Sequence, residues 1–342
     1  MVRVGIVGAG FMGHMHAQCY QVMPGARLVA VADPTDKARD GFCREFACDG
    51  YPRLEDMLSD AELDAVDICT PTCLHAEQSV AAARAGKHVV CEKPMALTED
   101  ECTRMIAAAR KASTILMVAQ VLRFWPEYVL IADLVRSGKL GRVKWASAQR
   151  LGPSPKWSWD DWIRDVERSG GPLLDLHIHD LDYLSWLLGR PKRVYAQGVS
   201  APGRGFVSVL TTLSGHKHEA KSGAAASMGM MGEFPFTMDL LVSAEKGTIM
   251  YNSTTSPTLT VLQEGRKPYA PRIPQPRLPQ SAYGRGNIQA LGGYYVELKY
   301  FVDCVRRSDP PKVVTPDEGR FAVKLCRAAE QSARTGEVVS VR

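Results

Sequence analysis

Val2-Arg3-Val4-Gly5-Ile6-Val7-Gly8-Ala9-Gly10-Phe11-Met12-Gly13 opens the chain, and its reading decides the fold. Residues 2–7 form a short apolar run of strand type. Gly8, Gly10 and Gly13 follow at once in a G-x-G-x-x-G spacing. A helical pattern begins there, with Met12, Met15, Cys19 and Met23 on one face, and it stops at Pro24-Gly25. A second strand, 28–32, ends in Asp33, twenty residues after Gly13. The glycine spacing alone is a weak signal. Strand, turn, helix, second strand and terminal acid together specify a dinucleotide site. Gly8 permits the tight turn, Gly10 lets a pyrophosphate approach the backbone, and Gly13 packs helix on strand. The helix N-terminus at Phe11 and Met12 offers backbone amides to phosphate. Asp33 accepts hydrogen bonds from an adenosine ribose and repels a 2′-phosphate, so NAD is expected in preference to NADP.

The alternation continues outward from this unit. Residues 35–47, 54–59 and 74–85 read as helices, and 65–69, 88–91 and 115–118 as strands. Thr98 and Glu101 form the pattern of a capping box at the next helix start. Such a succession predicts a doubly wound parallel sheet, whose ligands bind beyond the carboxyl ends of the strands. Thr70, Pro71, Glu92 and Lys93 fall there. Lys93 is fixed by the following Pro94, and a cis form of that bond would turn the ammonium into the cleft.

Residues 123–138, with Pro126 at a helix start and Gly138 at its end, read as a link between domains. A strand over 142–150 leads to a loop with Trp157, Trp159 and Trp162, aromatic rings that suit either a sugar or a core. Then comes Gly170-Gly171-Pro172-Leu173-Leu174-Asp175-Leu176-His177-Ile178-His179-Asp180-Leu181-Asp182. One helix is expected over 173–188, placing Asp175, His179 and Asp182 on a single face. An imidazole beside a carboxylate can remove a proton near neutral pH. A metal site of His177, His179 and Asp175 is the weaker alternative, because positions i and i+2 diverge on a helix; no metal is expected.

Past Pro191 the pattern changes. Strands over 193–200, 207–213, 219–228, 236–243, 248–251 and 258–262 follow one another without crossover helices, which predicts an antiparallel sheet. The helix beginning at Pro172 is expected to cover one face. The other, if it carries the apolar residues of 224–231, would join subunits. A proline-rich loop over 268–280, helices over 290–307 and 317–335 and a last strand over 338–341 complete the chain. The expected fold class is thus α/β plus α+β. A Rossmann-type domain spans 1–121, and a mostly antiparallel sheet domain covered by helices on one face spans 122–342, with helix 317–335 expected to pack back on the first domain.

At 342 residues, two domains are the default. The net charge of +5 is spread without basic blocks, which argues against a nucleic-acid binder. Nine cysteines without a C-x-x-C pair read as reduced, buried small hydrophobes. Met1 runs straight into a strand and no apolar run approaches a membrane span, so a cytoplasmic protein is expected.

Taken together, these motifs resemble the Gfo/Idh/MocA oxidoreductases, the family of glucose–fructose oxidoreductase and inositol 2-dehydrogenase. The resemblance rests on Gly8–Gly13 with His16-Ala17, Thr70-Pro71 with His75, Glu92-Lys93-Pro94, Arg123-Phe124-Trp125-Pro126 and Ser137-Gly138-Lys139-Leu140-Gly141. It extends to Gly170-Gly171 with Asp175 and His179, and to Tyr294, Glu297, Leu298 and Phe301. It implies cofactor contacts from Gly8, Gly10, Phe11, Met12, Gly13, Asp33, Thr70, Pro71, His75, Glu92 and Lys93. It implies a catalytic group of Lys93, Asp175 and His179, close to the inositol dehydrogenase branch, and substrate contacts from Lys93, Arg123, Trp162, Asp175, His179 and Asp182. His179 would act as base, Asp175 would orient it, and Lys93 would stabilise developing alkoxide. The substrate would be a small polyol or sugar and the assembly a homodimer or homotetramer through the open sheet face. An NAD-dependent glycosidase and a non-catalytic dinucleotide-binding regulator are the other branches to weigh. Two positions depart from the family: His177 stands where a small residue is common, and Pro34 where an adenine-stacking arginine is frequent.

Overall fold

Residues 1–156, 158–276, 278 and 291–341 are described by the computed structural model. Trp157, positions 277, 279 and 280 of the proline-rich loop, and Ala290 lie outside them. Strand and helix alternate through β1 (Val2–Val7), α1 (Phe11–Gln21), β2 (Ala26–Ala32), α2 (Asp36–Phe46), β3 (Asp49–Tyr51), α3 (Leu54–Asp60), β4 (Ala65–Ile68), α4 (Thr72–Arg84), β5 (His88–Glu92), α5 (Glu99–Ala112) and β6 (Leu116–Ala119). The six strands pair in parallel in the order β3-β2-β1-β4-β5-β6. The order reverses between β1 and β4, and ligands bind in the crevice at such a switch point. β4 and β6 are buried throughout, as strands covered on both faces must be. The short β3 gave no alternating pattern and was not expected. The capping box at α5 forms: the Thr98 Oγ1 accepts from the Glu101 amide, and the Glu101 carboxylate accepts from the Thr98 amide.

The chain then runs through α6 (Pro126–Arg136), β7 (Val143–Leu151), α7 (Val166–Ser169), α8 (Gly171–Asp175), α9 (Ile178–Leu188), β8 (Arg193–Ala201), β9 (Gly205–Ser214), β10 (Lys221–Ser227), β11 (Thr237–Ala244), β12 (Gly247–Asn252) and β13 (Leu259–Gln263). Helices α10 (Gly292–Arg307) and α11 (Pro316–Thr335) and strand β14 (Val339–Ser340) follow. The second sheet has eight strands in the order β13-β12-β11-β7-β10-β9-β8-β14. All its pairings are antiparallel except β7 with β10, which is parallel. Helices α8 and α9 pack on β7, β9 and β10. Beneath them lie Ala146, Ala148, Val209, Leu213, Ala224, Ala226, Leu240 and Val242, all buried. This corrects the expected subunit surface: Ala224 and Ala226 point to the covered side. The opposite face carries Trp145, Leu210, Met250 and Val199 instead, all well exposed.

Among the described residues the chain divides into two compact units. One comprises Met1–Trp125, Ser158–Asp160 and Pro276–Phe321; the other comprises Pro126–Trp157, Asp161–Gln275 and Ala322–Arg342. α10 therefore belongs with the nucleotide-type sheet, where it packs on α1. α11 is shared: its first residues go with the first unit, where a Cβ on Gly319 would meet Val118, and the rest with the second. All nine cysteines are free, and four of them (Cys43, Cys48, Cys69 and Cys73) are only partly buried.

Candidate active site

Three glycines build the turn at the switch point, each for a different reason. Gly8 has φ +98°, and a Cβ there would stand 2.9 Å from the Cys69 carbonyl oxygen. A Cβ on Gly13 would stand 2.0 Å from the Gly8 carbonyl oxygen, so helix and strand touch only because it is absent. Around Gly10 nothing lies within 4 Å, which leaves the approach to the backbone open. Gly10 is also the N-cap of α1, whose first turn has neither a side-chain cap nor an acidic residue. Phe11 and Met12 begin that turn. An anion is favoured at such a terminus. Asp33, just past β2, accepts from the Ala9 amide at 2.9 Å and the Thr35 amide at 2.8 Å, which fixes its carboxylate against the turn. These residues fit a dinucleotide: open backbone at Gly10, an uncapped helix start, and an oriented acid at the ribose end.

Below the ends of β4 and β5 lies a buried polar cluster. His16 on α1 is wholly buried, with Nδ1 2.9 Å from Asp67 Oδ2 and Nε2 3.2 Å from Glu92 Oε1. Tyr20 donates its hydroxyl to Asp67 Oδ2 at 2.9 Å, and the Cys69 thiol donates to Asp67 Oδ1 at 3.3 Å. Burial is the largest influence and works against a proton on His16, but Asp67 and Cys69 together outweigh it and carry the imidazole well above its ordinary value. Burial pushes the Cys69 thiol up too, so it remains a donor. Glu297 on α10 is wholly buried, and neither carboxyl oxygen has a hydrogen-bond partner among the described residues. Burial first, then the nearby charge of Glu92, raises it well above the carboxylate range, so it is the protonated acid. His16, Asp67 and Cys69 are metal-ligand types gathered within 4.8 Å, but contacts of 2.9–3.3 Å make them a hydrogen-bonded cluster.

Glu92 carries this cluster to the strand end, where its Oε2 accepts from the Lys93 amide at 3.0 Å. The Lys93–Pro94 peptide is cis. His75 is wholly enclosed, with Nδ1 2.8 Å from the Pro94 carbonyl oxygen and Nε2 2.9 Å from that of Thr70. Expected as a cofactor contact, it clamps together the segments that follow β4 and β5. Thr70 donates its hydroxyl to Gln78 at 2.6 Å, and Pro71 is the N-cap of α4. Arg123, expected at the substrate, is buried; its guanidinium donates to the Val313 carbonyl at 2.7 Å and pairs with Glu318 at 3.0 Å. Glu318 is the partner of Thr315 in the cap of α11, so Arg123 braces the turn into that helix.

In the second unit, Gly170 and Gly171 take φ +76° and +68°, successive left-handed positions that start α8. A Cβ on Gly171 would stand 2.8 Å from the Arg204 carbonyl oxygen. The single helix expected over 173–188 is in fact two, α8 and α9. The His177 amide reaches back five residues to the Pro172 carbonyl, a wide turn that interrupts the ladder. Asp175 therefore ends α8 and His179 lies in the first turn of α9, with the break between them. The cause sits at the break: His177 is wholly buried, and its Nε2 lies 2.9 Å from the Thr211 hydroxyl on β9. Burial, then the charge of Arg150, presses it down to about 3, so it is a neutral core imidazole and not a ligand beside His179. His179 is half-buried and Asp175 nearly buried. Asp182 is buried; burial first, and Asp182 as a smaller influence, raise the Cys326 thiol on α11. Trp162 is half-buried in a 3-10 turn, Trp159–Arg164. Sequence reading missed Arg150 and Asp180, which form a buried two-point ion pair at 2.9 and 3.1 Å under the sheet. Alternation along β7, which puts Arg150 in register with buried Ala146 and Ala148, was the available signal.

A parallel sheet with this glycine cradle and strand-end lysine, continued in one chain by an open-faced sheet unit, defines a two-domain nicotinamide-nucleotide-binding protein. The chain belongs to the GFO/IDH/MocA family: the family model described as "Oxidoreductase family, NAD-binding Rossmann fold" matches residues 2–120, and that for the GFO/IDH/MocA C-terminal domain matches 128–250. It is 32% identical to the 2,7-anhydro-N-acetylneuraminate hydratase of Escherichia coli over 55% of this chain and 50% of that one. Thus the chain spans about half the length of several curated relatives it matches. It is 28% identical to the myo-inositol 2-dehydrogenase of Thermotoga maritima over 97% of this chain and 96% of that one. A solved levoglucosan dehydrogenase, in complex with NADH and levoglucosan, shares the fold with a TM-score of 0.86 at 23% identity, covering 99% of both chains. No helix among the described residues is long and apolar enough to cross a membrane.

Proposed function

We propose that this protein is an NAD-dependent dehydrogenase acting on a secondary alcohol, or its ketone, in a cyclic polyol or sugar. The observation that carries the reading is the held lysine: Lys93 stands at the end of β5, its amide fixed by Glu92 and its following peptide clamped by His75. A dehydrogenase and a dehydrogenase structure among the relatives, named for inositol and levoglucosan, support the substrate class. The bound nicotinamide supplies the hydride acceptor. Gly8, Gly10, Gly13 and the start of α1 seat the pyrophosphate, and Asp33 takes the adenosine ribose. Lys93 holds the reacting hydroxyl and stabilises the developing alkoxide. His179 takes the hydroxyl proton, and Asp175 orients it and balances the resulting cation. Asp182 and Trp162 serve the substrate ring. His75 and Arg123 act on the backbone around the site.

The open face of the second sheet, with Trp145, Leu210, Met250 and Val199 exposed, is the surface through which copies of the chain associate, and the assembly works in the cytosol. The glycosidase and regulator readings gain nothing from the relatives named above, and Lys93 and His179 are both present. A panel of inositols, aldoses, anhydrosugars and their keto forms, offered with NAD and with NADP, tests the reading by absorbance of the reduced nucleotide. NAD-linked oxidation of at least one cyclic polyol or sugar is expected. Cleavage of a glycoside, or water addition, without net reduction of NAD would overturn it.

A further inference from the structure

The cluster below the strand ends contains an imbalance of charge. His16 sits between two carboxylates, 2.9 Å from Asp67 and 3.2 Å from Glu92, and one imidazolium neutralises one of them. Among the described residues, Tyr20 and Cys69 beside it are neutral donors, a hydroxyl and a thiol, and Glu297 keeps its proton beside Glu92; the further charge adjoining the cluster is that of Lys93, the residue after Glu92. The cluster is almost dry, with His16 and Asp67 wholly buried and Glu92 only 6% exposed, so water screens the surplus charge weakly. It also has a defined address. Asp33 at the end of β2 marks the adenosine side of the switch point, so the nicotinamide side falls across β4 and β5. Glu92 is the last residue of β5, and Cys69 directly follows β4.

The nicotinamide ring carries one positive charge when oxidised and none when reduced. A fixed negative charge near it therefore holds the two forms unequally. We propose that the paired carboxylates Asp67 and Glu92, sharing the single imidazolium of His16, bias the nucleotide unit toward the oxidised dinucleotide. The inference rests on the NAD-binding reading and adds to it a role for residues that need touch neither substrate nor proton transfer. The ammonium of Lys93 is present with both forms, so it offsets the field without cancelling the difference made by one added or removed carboxylate.

The test needs no substrate. Dissociation constants for NAD+ and NADH are measured by calorimetry on the full chain, and their ratio is compared across variants. Glu92→Gln removes one negative charge and leaves the Asp67–His16 pair neutral; the ratio Kd(NAD+)/Kd(NADH) is expected to rise by about three- to tenfold, the scale of one unit charge in a protein-like dielectric. Glu92→Ala removes the same charge without the amide and should move the ratio in the same direction. If one of the two fails to fold, the sign from the other decides. Glu92→Asp keeps the charge and should return the ratio to that of the parent. An unchanged ratio in the folded neutral variants, or equal weakening of both nucleotides, would overturn the proposal, as would an aspartate variant that shifts the ratio as far as glutamine does. Absence of binding by either nucleotide to the parent protein would instead remove the NAD reading itself.

Discussion

Two histidines in this molecule are equally buried, and one is charged while the other is neutral. His16 in the nucleotide unit and His177 in the second unit are both wholly enclosed. His16 lies between Asp67 and Glu92 and is held as the imidazolium; His177 faces the Thr211 hydroxyl and the charge of Arg150 and is held neutral. Burial disfavours the cation at both sites. The neighbour decides whether that preference stands. The same contrast separates the polar groups of the two units. Arg150 and Asp180 form a pair that closes on itself, whereas the His16 cluster leaves a charge over.

The pair of histidines should have opposite pH limbs. His177 is depressed to about 3, so below 6.5 the unfolded chain binds a proton that the folded chain refuses. Stability is full above that range and falls by about 1.4 kcal/mol per pH unit on acidification, about 5 kcal/mol by pH 3. Urea midpoints of the parent and of His177→Gln, compared between pH 7 and 4, should converge as pH falls; parallel curves would break the assignment. His16 is raised, so its contribution is complete below 6.5 and is lost as pH climbs through its folded value. The parent and His16→Asn should therefore converge in the alkaline direction.

Opening the closed pair comes next in size. Arg150→Ala strands the Asp180 carboxylate beneath the sheet and should cost about 3–5 kcal/mol in denaturant titration. Replacing both, as Arg150→Met with Asp180→Leu, should cost much less. If the double replacement costs as much as the single, the pair is more than a staple. The glycine turn offers a sharper contrast. Gly13→Ala drives a methyl into the Gly8 carbonyl and should lower stability by about 3 kcal/mol. Gly10→Ala meets nothing in the protein, so it should leave the thermal midpoint alone and weaken NAD binding by calorimetry. The smallest effect is at the surface: Thr98→Ala removes the capping box of α5 and should cost about 1 kcal/mol.

These contrasts show why some features were legible before folding and others were not. The glycine turn, the acid after β2 and the capping box are local, so short spacings carry them. The parallel pairing of the first sheet follows from alternation with helices; its strand order does not. The parallel pairing of β7 with β10 joins strands more than seventy residues apart, and no local pattern announces it. The break between α8 and α9 is hidden for another reason. Leu176 and His177 keep helical dihedrals near φ −100°, ψ −49° and φ −69°, ψ −23°, so the apolar spacing runs through the interruption unchanged. The backbone partners of Arg123 and His75 were not legible either: the two were expected at ligands from the family motifs, and the carbonyls that engage them, with Glu318 for Arg123, are brought up only by the fold.

The central functional claim is that Lys93 and the Asp175–His179 pair carry the chemistry while the glycine cradle carries the nucleotide. Turnover and NAD affinity measured side by side on Lys93→Ala and His179→Ala test it most directly, using the best substrate from the polyol panel. Loss of kcat by about 10²–10⁴, with NAD bound no more than about twofold more weakly than by the parent, is the predicted result. Unimpaired turnover at saturating NAD together with a collapsed NAD affinity would contradict it.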